Sequence, residues 1–154
     1  MITVFSIPDR KNQSIPDVQD TIDSILAQSV PSGQIFAIGN ILNGADPSIQ
    51  FLSTGKMSYT EAINQAVQQS DDPFILLIDN RTSPVRMNAS AIDILTLTMK
   101  RHPGAAMIYT DYDLKNDDGI QEIHLLHHHK GCVRDNQDYG NVFCIRKSVF
   151  FLHF

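Results

Sequence analysis

Apolar residues recur along this chain in two rhythms, short unbroken runs and helically spaced stripes, and the rhythms alternate for most of its length. Residues 2–7 (Ile-Thr-Val-Phe-Ser-Ile) form a β-branched run stopped by Pro8 and predict a first strand. Ser14-Ile-Pro-Asp17 has the form of a capping box with proline in the first turn. Val18, Ile22, Ile25 and Leu26 follow at helical spacing, predicting a helix that stops around Ser29, before Pro31 and Gly33. Residues 34–38 predict a second strand, ended by Gly39-Asn40. After a polar loop over 41–48, residues 49–53 predict a short third strand. Gly55 then introduces a helix with Tyr59, Ala62, Ile63, Ala66 and Val67 as its apolar stripe.

Asp71-Asp72-Pro73 punctuates before Phe74-Ile-Leu-Leu-Ile78, five apolar residues in a row closed by Asp79. Strands of a parallel sheet are covered on both faces and lose polar alternation, so this run predicts a central strand. Ser83-Pro84 is expected to cap and open the next helix, with Ala89, Ile92, Leu95 and Met99 on its buried face and His102-Pro103-Gly104 at its end. Strand–helix alternation to this point predicts parallel βαβ units. Beyond it the pattern changes: residues 106–110 predict a strand, Asn116-Asp-Asp-Gly119 a hairpin turn, 120–126 the return strand, 141–146 one more strand, and 147–154 the opening of a helix. The expected architecture is α/β, a three-layer α/β/α sandwich with a mainly parallel sheet and an antiparallel C-terminal part. Ligands of such sheets gather beyond the carboxyl ends of the strands, where Asp79 is placed to hold a metal or a sugar.

The 154 residues fit one domain and suffice for a core without disulfides. A net charge of −5 gives no electrostatic footprint for nucleic acid or an anionic membrane. No apolar run approaches the roughly 20 residues of a membrane span. The start lacks a basic n-region and a small-residue cleavage site, so the expected location is cytoplasmic. Cys132 and Cys144 form neither a disulfide framework nor a CxxC pair, in keeping with a reducing compartment. Glycosylation-type triplets at Asn12, Asn80 and Asn88 read as chance without an export signal. A Gly-x-Gly-x-x-Gly, a P-loop and a nucleophile elbow are all missing, which removes the common dinucleotide, ATP-hydrolysis and esterase readings. A receiver domain would want two adjacent acids after the first strand, and Pro8-Asp9-Arg10 supplies one. His124, His127, His128 and His129 cluster: 127 and 129 share a face on a strand, 124 and 128 on a helix, giving either a transition-metal pair or a solvated surface.

Together these segments resemble the nucleotide-sugar-binding half of a family-2 glycosyltransferase, with the GT-A (Rossmann-like) fold of the nucleotide-diphospho-sugar transferases. The likeness lies in residues 2–8, in Thr21-Ile-Asp-Ser-Ile-Leu-Ala-Gln-Ser-Val-Pro31, in Gly55 to Ser58 with Ala62 to Asn64, in Asp79, in Tyr109-Thr-Asp-Tyr-Asp113 with Gly119, and in Asn141-Val-Phe-Cys-Ile-Arg-Lys147. It implies a single domain over 1–154 that lacks the usual C-terminal acceptor and base segment. It also implies nucleotide-sugar binding at Pro8, Asp9, Asn40, Lys56, Asn64, Asp79 and Arg81, with a UDP- or GDP-linked sugar as ligand.

In that family a magnesium or manganese ion bridges the two phosphates, held by an Asp-x-Asp pair. Asp79 stands at the first acid, while the second is replaced by Arg81. Either Arg81 pairs directly with a diphosphate, or the metal site has decayed and Arg81 is a surface residue or salt-bridge partner. Gly39-Asn40 stands where the family's base-reading acids would be, so Asn40 serves either a base edge or the turn itself. Lys56 is placed to touch phosphate or to sit on the surface. Asp111 and Asp113 are read as turn and strand-end caps rather than as a catalytic base. The implied function is a glycosyltransferase-like domain with catalysis lost or altered. Its alternatives are an active inverting transferase using Asp79 and a base supplied by a partner subunit or domain, and a non-enzymatic interaction module.

Overall fold

The unbroken run of residues 74–78 does become an interior strand, and the rest of the sheet is laid out around it. The computed structural model describes residues 1–6, 16–39, 46–55, 57–81, 83–125 and 137–150. In chain order the elements are β1 (Ile2–Ser6), α1 (Pro16–Leu26), β2 (Ile35–Ile38), β3 (Ile49–Leu52), α2 (Tyr59–Gln68), β4 (Phe74–Ile78), α3 (Ala91–Arg101), β5 (Met107–Tyr109), β6 (Tyr112–Asn116), β7 (Gly119–Ile123), β8 (Val142–Arg146) and α4 (Lys147–Phe150). Six strands form one sheet in the order β3-β2-β1-β4-β8-β5. β3, β2, β1 and β4 are mutually parallel, with Val4 in register between Phe36 and Leu77. β8 runs antiparallel to both β4 and β5, so β5 points the same way as β4.

Alternation along the strands divides the core into two layers. Ile35 and Ala37 of β2, and Phe74, Leu76 and Ile78 of β4, face α1 (Val18, Ile22, Ile25) and α3 (Ile92, Leu95, Met99). Phe36, Ile38, Ile75 and Val4 face α2, which presents Ala62, Ile63, Ala66 and Val67. Every side chain named here is buried, and full burial of a large aliphatic or aromatic group is worth roughly 2 kcal/mol. The fold is thus the expected α/β/α arrangement, Rossmann-like, with a mainly parallel sheet and antiparallel strands at its C-terminal side. No helix among the described residues is long and apolar enough to cross a membrane.

α2 starts at a capping box: the Ser58 hydroxyl accepts from the Glu61 amide at 3.2 Å, and the Glu61 carboxylate accepts from the Ser58 amide at 2.6 Å. The hairpin over Asn116–Gly119 forms as expected, with Gly119 at φ +133°. It belongs, however, to a two-stranded sheet of its own, β6 with β7. Two expected helix bounds need correction. α1 ends at Leu26 rather than around Ser29. α3 opens at Ala91, not at Ser83-Pro84, and Ala89 is exposed in the preceding turn.

The delay of α3 has a physical cause in α1. Thr21 Oγ1 donates to Val85 O, Ser24 Oγ accepts from the Met87 amide, and Gln28 Nε2 donates to Asn88 O. The Ser29 amide adds a bond to Ala89 O. Backbone groups that a helix would have used internally are bound to a neighbouring element, so residues 84–88 run as a strap along α1. The expected cap at Ser14 and the residues beyond Phe150 lie outside the described residues.

Candidate functional site

From β1 the chain moves outward to β2 and β3, then returns across β1 to place β4 on its other side. The direction of winding therefore reverses between β1 and β4, and a crevice opens beyond their carboxyl ends at such a switch point. The turn that leaves β4, residues 79–81, stands at that edge. The Asp79 amide donates to Asn141 O at 2.8 Å, which ties the turn to the start of β8.

Asn80 is the anchor. It is 1% exposed, and its Oδ1 accepts from the Val85 amide at 2.9 Å and shares the Thr21 Oγ1 proton, 3.2 Å away, with Val85 O. With Asn80 turned inward, its two neighbours occupy the rim. Arg81 Nε lies 2.9 and 3.1 Å from the two Asp79 carboxylate oxygens, and Nη2 lies 2.7 Å from Oδ2. The Arg81 amide also donates to Asp79 Oδ1 at 3.0 Å. The guanidinium carbon sits 4.7 Å from the centre of the Tyr59 ring, at the start of α2. This cation–π contact and the fork on Asp79 hold the side chain although it is 57% exposed. The hydrogen bonds to Asp79 hold the Arg81 proton more firmly than usual, raising its pKa.

These groups do not fit the magnesium or manganese ion implied by an Asp-x-Asp site. Such ions need several oxygen ligands. Among the described residues of this turn one carboxylate is present, and both of its oxygens accept hydrogen bonds from a cation two residues along the chain. Among the described residues, no group of three His, Cys, Asp or Glu side chains is arranged to hold a metal.

Of the other residues read from the sequence, Asn64 lies within α2, half-buried, and its buried Oδ1 has no hydrogen-bond partner among the described residues. Pro8, Asp9, Asn40 and Lys56 lie outside the described residues. So the structure brings Asp79 and Arg81 together and adds Tyr59, Asn80 and Asn141, to which the sequence assigns no role at the site. In the sequence Tyr59 is one member of an apolar stripe. Asn80 is there the spacer between two candidate charges, and no local pattern marks a spacer as an anchor.

Asp111 follows β5 on the same edge of the sheet. Its Oδ1 accepts from the Leu125 amide at 2.8 Å and its Oδ2 lies 3.1 Å from His124 Nδ1, so the expected capping role fits. Glu122 stands 3.6 Å from the other ring nitrogen. The hydrogen bond to Asp111 raises the His124 pKa above its ordinary value, although the ring is 74% exposed. A histidine pKa raised by folding gives stability that is present below the unfolded value of about 6.5 and fades as pH rises through the folded one. An NMR titration of His124 should therefore have its midpoint above that of an unfolded peptide, and Asp111→Asn should bring it back down. His127, His128, His129 and Cys132 lie outside the described residues. Cys144 is buried in β8, and that burial pushes its thiol pKa up to about 11.

Sheet order, the reversal between β1 and β4, and a polar turn at that edge define a Rossmann-like α/β domain of the kind that takes ligands beyond its strand ends. No family model matches the chain, and no curated protein matches it. Among solved structures it is similar to CMP:2-keto-3-deoxy-manno-octonic acid synthetase complexed with CTP, with a TM-score of 0.54 and 10% identity over 96% of this chain and 74% of that one. A lesser likeness, TM-score 0.46 and 11% identity over 96% and 71% of the two chains, joins it to 2-C-methyl-D-erythritol 4-phosphate cytidylyltransferase from Thermus thermophilus. At 10% identity, the likeness to the synthetase shows a shared fold and leaves the chemistry of the site to its own residues.

Proposed function

We propose that this chain is a glycosyltransferase-like domain that binds a nucleoside-diphosphate-linked sugar along the carboxyl edge of its sheet, with its catalysis lost or altered. The observation that carries the reading is the 79–81 turn at the β1–β4 switch point, where a buried Asn80 fixes a charged pair at the carboxyl edge of the sheet. The synthetase of like fold is a complex with CTP, which supports a nucleotide as the ligand class. By resemblance, Pro8, Asp9, Asn40 and Lys56 belong to the same site.

In the family this chain resembles, inverting transfer uses a carboxylate general base to activate the acceptor hydroxyl. Asp111 is already bonded to the Leu125 amide and His124, which argues for a structural role. Hence we favour binding over turnover.

Calorimetric titration with UDP-glucose, GDP-mannose and CTP, each with and without manganese, tests the reading. The expected result is saturable binding of at least one, with a dissociation constant on the order of 100 μM, near the middle of the range usual for enzyme substrates. Failure of every nucleotide to bind would overturn it in favour of a scaffold.

A further inference from the structure

We infer that the Asp79–Arg81 pair is a metal-independent latch for a diphosphate: Arg81 binds the anion directly, and Asp79 competes with that anion for the guanidinium instead of assisting it. The inference deepens the reading above and rests on it for the nucleoside part of the ligand. It starts from the misfit between this turn and a divalent ion. In a metal site the Asp79 carboxylate would be the ligand holding the ion under the phosphates. Here the positive charge at that place is already covalently part of the chain, two residues on, and grips both carboxylate oxygens.

A guanidinium matches a phosphate as well as it matches a carboxylate, through two parallel N–H donors. Arg81 spends Nε and Nη2 on Asp79, and Nη1 donates no hydrogen bond among the described residues. The group is more than half exposed, and Tyr59 supports it. An approaching diphosphate therefore meets a cation that is positioned beforehand. The backbone that carries it is fixed by the buried Asn80 bonds and by the Asp79 amide on Asn141 O, so little of the turn has to be ordered on binding. What the anion must displace is the Asp79 fork, and a diphosphate brings more negative charge to the same parallel N–H donors than the single carboxylate does.

Opposite signs follow for the acid in the two cases. Where a metal is needed, removing the carboxylate abolishes binding. For the latch, removing its charge frees the guanidinium and tightens binding.

The test uses the full chain, with inorganic pyrophosphate and UDP-glucose as separate probes, titrated in a chelator and again in manganese. Pyrophosphate is expected to bind equally well in both. Asp79→Asn keeps the Oδ1 that caps the Arg81 amide, and it should tighten pyrophosphate about fivefold, the worth of a good exposed pair. Arg81→Gln should weaken it at least about tenfold, with Arg81→Lys falling between because the charge stays and the fork is lost. Circular dichroism of each variant confirms the fold, which should stay intact because Asn80, the buried anchor of the turn, is unchanged. No pyrophosphate binding to the unaltered protein, binding that requires manganese, or weaker binding by Asp79→Asn would each overturn the latch. Manganese-dependent UDP-glucose binding that Asp79→Asn abolishes would sink the latch and leave the nucleotide reading standing. Pyrophosphate behaving as expected while no nucleotide binds would do the reverse.

Discussion

Replacing Phe36 by alanine is expected to remove about 4 kcal/mol of folding stability, since aromatic-to-alanine changes in a packed core cost about 3–5 kcal/mol. Phe36 is fully buried in the middle of β2, in the layer shared with Val4, Ile38, Ile75 and the inner face of α2. Ala62 and Ala66, both at 0% exposure, are the small groups that let α2 lie close to the sheet around that ring. The cavity left by the mutation has no easy way to collapse. β2 is held on both sides by parallel partners, and its other face is packed by Ile35 and Ala37 against the α1–α3 layer. For a domain whose total stability is about 5–15 kcal/mol, this is a large share. The urea midpoint should fall by about 2 M at an m-value near 2 kcal/mol/M. The change also reaches the site, because α2 begins with Tyr59, which supports Arg81.

Gln28→Leu is expected to cost about 2 kcal/mol, by a different mechanism: lost hydrogen bonds in the interior. The buried Gln28 amide donates to Ser24 O and Asn88 O, both at 2.8 Å, and its Oε1 accepts from the Ile92 amide at 3.0 Å. Leucine would fill most of the volume and satisfy none of these groups. The Ile92 N–H would lose its partner in the interior, at roughly 1–3 kcal/mol, while the Asn88 carbonyl keeps the Ala91 amide. Thermal unfolding measures the total. Amide exchange at Ile92 locates it: that proton should pass from slow to fast exchange while the β4 amides, held by β1 and β8, keep their order of protection. Unchanged exchange at Ile92 would mean that Gln28 does not secure the start of α3.

The contrast between these residues shows what the sequence makes legible. Burial of Phe36 follows from its place in a short apolar run, and the run at 74–78 marks an interior strand in the same way. The α2 stripe and the Asn116–Gly119 turn are just as local: each is set by residues within one or two turns of one another. The start of α3 is not local. Ser83-Pro84 has the right residues for a helix start, but Thr21, Ser24 and Gln28, far upstream in the chain, claim the backbone of the following segment. Nothing near Ser83 announces that competition. The site divides along the same line. A charge reversal at Arg81 is visible by inspection, and a salt bridge is one of its natural outcomes. That Asn80 points inward and thereby fixes both charges outward depends on Thr21, which the sequence offers only as a member of another helix. The detachment of the β6–β7 hairpin from the main sheet is equally hidden, since a turn motif specifies which strands pair but not which sheet receives them.

β8 is inserted between β4 and β5, antiparallel to both, so β5 has no neighbour in the main sheet until residues 142–146 arrive. During synthesis, the parallel unit of β1 to β4 can close while β5 waits. β4, apolar along its whole length, spends that interval with one edge open. Such an edge is a template for pairing with another chain. Delivery of β8 therefore ends the period in which the nascent protein is most exposed to association, and the order of the strands along the chain sets how long that period lasts.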